Sequence, residues 1–283
     1  MLNGDLKDKA ISRLETAKKK YEEASELTAT ASEALFNIRH YCSNRLIHQI
    51  ESYFNQISNK PNELDKDFVI LKTAFQNFES LVDDLRKEAR DNEVKAGGSA
   101  FAGVGAAAGF AMFAPSAAMG IATTFGTAST GAAISTLGGA AATNAALAWL
   151  GGGAIVAGGG GMSAGSALLA LAGPIGWAIG GSAIAGSALY ARNKNTKLAT
   201  ETEERTKVIT IEYNKLLLAT KEIDRLISLT HQHKQASEKH LNMLEKFNEI
   251  NYLKMTEQQH ILLQSLINNT RSLSELIKKQ IEL

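Results

Sequence analysis

Between Lys95 and Arg192 the chain has no Asp, Glu, Lys, Arg or His. The 96 consecutive residues from Ala96 to Ala191 are uncharged in a protein that is 21% charged overall. Loops and outer helix faces of a soluble domain need charge for solvation. At the centre of a bilayer, by contrast, each charge costs roughly 2.5–3.5 kcal/mol. The absence argues against an ordinary soluble domain over this stretch and favours contact with hydrocarbon. Other shortages point elsewhere. Outside the block there is one glycine, Gly4, and one proline, Pro61, so little interrupts helix on either side. The single cysteine, Cys42, excludes an intramolecular disulfide framework and suits a reducing compartment. No secretory signal is visible, because Met1 to Glu26 is charged and has no apolar core. The expectation is cytoplasmic synthesis followed by insertion into the inner (cytoplasmic) membrane.

Charge is balanced rather than one-sided. Residues 1–95 carry 15 basic and 17 acidic side chains and residues 192–283 carry 15 and 12, so neither arm has a nucleic-acid footprint. No spacing singles out a catalytic group among the many carboxylates. Neither an enzyme nor a cofactor is expected. The histidines His231, His233 and His240 have the residue type for a metal or a pH response, but solvated histidines near a helix junction are the commoner reading. The run Gly103-Val104-Gly105-Ala106-Ala107-Ala108-Gly109 lacks a preceding strand and the right final spacing for a nucleotide fingerprint. Gly158–Gly161 lacks the lysine ending of a phosphate loop. No metal site is expected.

What is present outside the block is helical periodicity. Ala10, Ile11, Leu14, Ala17, Tyr21, Ala24 and Leu27 recur at three- and four-residue steps, and Leu35, Ile38, Tyr41, Leu46, Ile50, Tyr53, Phe54 and Ile57 continue the pattern. Ser58-Asn59-Lys60-Pro61 breaks it. Phe68, Leu71, Phe75, Phe78, Val82 and Leu85 then follow alternating steps of three and four, a heptad face that needs a partner helix. In the second arm Val208, Ile211, Leu218, Ile223, Leu226 and Ile227 mark a long helix. Leu241, Leu244, Phe247 and Ile250 mark a further stretch, and Ile261 to Ile281 mark a last one. The fold class is therefore all-α: a long antiparallel helical bundle with an inserted charge-free Gly/Ala-rich helical segment. Its parts are an N-terminal arm (1–95), the segment (96–191) and a C-terminal arm (192–283), with the arms packed as one bundle.

The segment holds 23 of the 24 glycines, 31 alanines and both tryptophans, but only 25 of its 96 residues are large and apolar or aromatic. Small residues gain little from burial, since the benefit scales with apolar area. They do allow close helix–helix approach, and three G-x-x-x-G units offer it: Gly105–Gly109, Gly161–Gly165 and Gly176–Gly180. Trp149 and Trp177 are candidate interfacial anchors, as are Lys95 and Arg192 at the edges, where basic clusters on both sides favour an even number of crossings. A length of 96 residues allows roughly four crossings at about 20 residues each.

This order of arm, charge-free Gly/Ala block and arm resembles α-helical pore-forming proteins of the haemolysin BL and cytolysin A type, and more loosely the apolipoprotein L group. The run Ala141-Ala142-Thr143-Asn144-Ala145-Ala146-Leu147-Ala148-Trp149-Leu150-Gly151-Gly152-Gly153 is similar to stretches in uncharacterised bacterial glycine-rich membrane proteins. The resemblance implies a toxin or effector that permeabilises a lipid bilayer. The dense small residues add the expectation of a homo-oligomer, and a lethal protein kept in the cytoplasm is expected to need a neutralising or activating protein partner. The alternative is a non-lytic membrane scaffold whose coiled-coil arms recruit another protein. A third reading is a soluble helical protein that wraps the block as a buried hairpin.

Overall fold

The first arm is built on a heptad. Leu14, Tyr21, Thr28, Leu35 and Cys42 recur every seven residues and are all buried, and Ser25, Ser32, Arg39 and Leu46 fill a second buried row beside them. Two such rows on one helix form a stripe that must be covered by another helix. The computed structural model describes residues 4–95, 115–125, 188–247 and 250–281. It places this heptad on α1 (Gly4–Tyr41), which continues through a π-helical turn at Cys42–Leu46 into α2 (Ile47–Gln56). No break separates the two apolar stretches read from the sequence.

The covering helix is α5 (Ala188–Leu244), 57 residues long and therefore about 85 Å at 1.5 Å per residue. Thr202, Ile209, Leu216, Ile223, Thr230, Ser237 and Leu244 form its own heptad, every member buried. The two helices run in the same direction, because partners rise together: Arg13 pairs with Glu203 at 3.5 Å, Thr28 with Thr220 at 2.9 Å, and Tyr41 donates to Glu238 at 2.8 Å. The Thr28–Thr220 hydroxyl pair makes a polar layer in the seam, and such a layer fixes register at some cost in stability.

The remaining helices return alongside. The chain turns at residues 57–61, with Asn59 in the left-handed region at φ 56°, and α3 (Asn62–Lys95) runs back against α1 and α2. Its heptad face, Phe68, Leu71, Phe75, Phe78 and Val82, is buried as the sequence pattern requires. Phe54 stacks on Phe68 with ring centroids 4.5 Å apart, Lys72 bonds Glu51, and His40 bonds Glu79 at 2.8 Å. In the second arm α6 (Glu257–Lys278) opens on a capping box, in which Thr256 and Gln259 satisfy each other's backbone N–H. It descends along α5, with His233 bonding Asn269 at 2.8 Å and Lys279 near Glu222 at 3.5 Å.

Each arm is thus a hairpin with antiparallel helices. Between the arms the first helices run parallel, a departure whose cause is visible at the turns. Both turns lie at one end and are tied together: Ser58 N–H donates to Ile250 O and Tyr252 N–H to Ser58 O, each at 2.9 Å. The charge-free block is entered from α3, which runs away from the turns, and left into α5, which runs toward them. Two sequence expectations shift. Helix α5 starts at Ala188, inside the block, and stops at Leu244, so Phe247 and Ile250 belong to the connection and not to a helix. The histidines His231, His233 and His240 lie within α5 and not at a junction. The described residues are helical with no strand beyond two isolated bridges, which makes the fold all-α with the character of a helical bundle.

Candidate functional site: a seat for part of the charge-free segment

Besides residues 188–191 at the start of α5, one piece of the charge-free block is described, helix α4 (Pro115–Thr124) with Phe125. Pro115 opens it at the position where a proline's missing N–H is harmless. Met119, Ile121, Thr123, Thr124 and Phe125 are buried. The contact with α1 is backbone on backbone: a Cβ added to Gly120 would lie 2.6 Å from Glu33 N, Ser32 C and Ser32 O. No side chain fits there, so glycine sets the distance between the two helices.

At its far end α4 meets the C-terminus of α6, and Arg39 lies between them. This arginine is fully buried. Its Nη1 donates to Thr123 O at 3.4 Å, and its Nη2 donates to Leu276 O at 2.8 Å and to Lys279 O at 2.6 Å. Helix C-termini leave four carbonyls without partners and carry about half a negative charge each. Two such ends facing one guanidinium come to about one unit of negative charge against one of positive. The arginine has no carboxylate in hydrogen-bond or ion-pair contact among the described residues, so the helix ends take that role. Burial pushes its pKa down to about 10, which still leaves it charged at neutral pH. Its Nε has no partner among the described residues. Breaking one side of such a buried arrangement costs several kcal/mol, because the charge is left without compensation.

The chain after α6 completes the enclosure. Ile281 is buried, its N–H donates to Thr124 O at 2.9 Å, and it forms a parallel bridge with Phe125. The seat is therefore assembled from two places in the sequence: α1 as floor, with its Arg39 as clasp, and residues 279–281 as one wall.

Of the residues singled out in the sequence, Gly105, Gly109, Gly161, Gly165, Gly176, Gly180, Trp149 and Trp177 lie outside the described residues. Lys95 is the last residue of α3, and Arg192 falls in the first turns of α5. Sequence reasoning missed Gly120 and Arg39. Gly120 is one of 23 glycines in the block. The one signal for Arg39 was its place in a buried heptad row otherwise made of small or apolar residues. Among the described residues no cluster of His, Cys, Asp and Glu could hold a metal, and no helix is long and apolar enough to cross a membrane. No protein family, curated protein or solved structure matches the chain.

Proposed function

We propose that the protein permeabilises membrane. In this reading the arms store the charge-free block, which leaves them, enters a bilayer and assembles through its small residues into a homo-oligomeric pore, with the producer's own inner membrane as target. The observation that carries the reading is the 96-residue block without one ionisable side chain, spliced between two charged helical arms. The seat adds support. A segment of that composition needs shelter from water, and α4 has it on α1. The shelter is held by few large side chains, Met119, Ile121 and Phe125, at about 1.5–3 kcal/mol each. A small anchor suits an element that is meant to leave.

The test is dye release from vesicles of phosphatidylglycerol and phosphatidylcholine by the full chain, beside a variant carrying Gly161→Lys and Gly165→Lys. Each lysine at mid-bilayer adds roughly 2.5–3.5 kcal/mol to insertion. Release by the native chain and not by the variant is the expected result. Equal release by both would remove the block from the mechanism.

A second reading has its own observation. Ile211 and Leu218 on α5 and Val69 and Ile70 on α3 are more than half exposed. Such faces suit a scaffold that recruits a partner protein and resides on membrane without breaching it. Vesicle binding without dye release is its signature.

A further inference from the structure

We infer that residues 279–281 act as a strap that locks α4 into its seat, and that displacing this strap is the step that frees the charge-free segment. The release consequence rests on the permeabilising reading, whereas the strap itself rests on contacts alone. After Lys278 the chain leaves helix and runs extended, with Lys279 at φ −71° and ψ 123°. It is then tied at three points. Lys279 O accepts from Arg39 Nη2, Lys279 Nζ lies 3.5 Å from Glu222 on α5, and Ile281 buries its side chain while its N–H reaches Thr124 O.

The coupling runs through one side chain and one main-chain hydrogen bond. Arg39 grips the strap and α6 through Nη2 and α4 through Nη1. Thr124 O, one of the carbonyls α4 cannot satisfy internally, has Ile281 N–H as its donor. When the strap moves, α4 loses that donor directly, and the guanidinium that also holds Thr123 loses one of its three acceptors. At Gly120 the contact with α1 is close but carries no side chain to hold it. The strap is short, exposes Lys279 and contributes only one large apolar side chain. A partner binding residues 279–281 in extended form could therefore lift it without unfolding α5 or α6.

The experiment is hydrogen exchange on the full chain, comparing native protein with Ile281→Pro, which cannot donate to Thr124 O, and Ile281→Ser, which keeps the N–H and loses the apolar contact. Amides of 119–125 should exchange about tenfold faster or more in both, the size expected when one buried hydrogen bond or one apolar anchor is lost. Amides of 209–230 in α5 should be unchanged. Unchanged exchange at 119–125 in both variants would overturn the strap. So would a rise at 119–125 and 209–230 together with loss of helix content, since the tail would then be part of the global core. Dye release is read separately. Faster exchange at 119–125 with no gain in release supports the strap and removes the permeabilising reading, and faster exchange with greater release supports both.

Discussion

Replacing Gly120 with alanine tests how α4 is held. The added Cβ would lie 2.6 Å from three main-chain atoms of Ser32 and Glu33. Carbon atoms meet at about 3.5 Å, so α4 must withdraw from α1 by roughly 0.9 Å. Main chain inside a long helix cannot rotate aside, so the whole of α4 has to move. Overpacking of this kind costs about 1–3 kcal/mol. That displacement also strains the Arg39 contact to Thr123 O, already 3.4 Å long, and the Ile281 contact to Thr124 O. Since 1.4 kcal/mol is tenfold in an equilibrium, the open population of α4 should rise about 5- to 150-fold. The cost should fall on α4, a ten-residue helix that can withdraw, because the α1–α5 seam is held along its length by contacts of its own. The assay is hydrogen exchange by fragment. Faster exchange across 119–125 with unchanged exchange across 209–230 is expected. Native exchange at 119–125 in Gly120→Ala would refute the backbone contact.

Other outcomes follow from the seam. Thr28→Val should cost about 1 kcal/mol by urea unfolding, and Thr28→Val with Thr220→Val less than the sum of the single changes, because the two hydroxyls bond each other at 2.9 Å. Glu212 is buried and its carboxyl pKa is raised, chiefly by desolvation, with Lys215 partly opposing. A raised folded-state value means that its contribution is fully present below the ordinary carboxylate range and is lost as pH rises through the raised value. Glu212→Gln should therefore raise the urea midpoint at pH 7.5 and leave it nearly unchanged at pH 4. Burial pushes the Cys42 thiol up to about 12. A thiol-specific dye at pH 8 should label it only after the bundle is unfolded.

How far the sequence reading reached depended on residue chemistry. On α3 the seam is all large and apolar, from Phe68 to Val82, and its period could be read directly. The α5 seam has polar members, Thr202, Glu212, Thr230 and Ser237, and the run Leu216-Leu217-Leu218 offers three phases at once. The apolar pattern then selected Ile211 and Leu218, which are exposed, where Ile209 and Leu216 are buried. Chain direction was illegible because it is set by the bridge between two distant turns, Ser58 and Asn251. The seat was illegible for a different reason. Arg39 bonds main-chain carbonyls 84, 237 and 240 residues away, and a carbonyl carries no residue identity. Nothing in the sequence around Gly120 announces that Ser32 and Glu33 lie against it.

The central claim is that the charge-free block breaches membrane. Its most direct measurement is dye release from phosphatidylglycerol–phosphatidylcholine vesicles by the Ile281→Pro chain and the native chain, with flotation measured in the same samples. The account predicts that both chains float with the vesicles and that the variant releases more dye at equal bound protein. Vesicle-bound protein with the dye retained, in a variant whose 119–125 amides exchange freely, would contradict it.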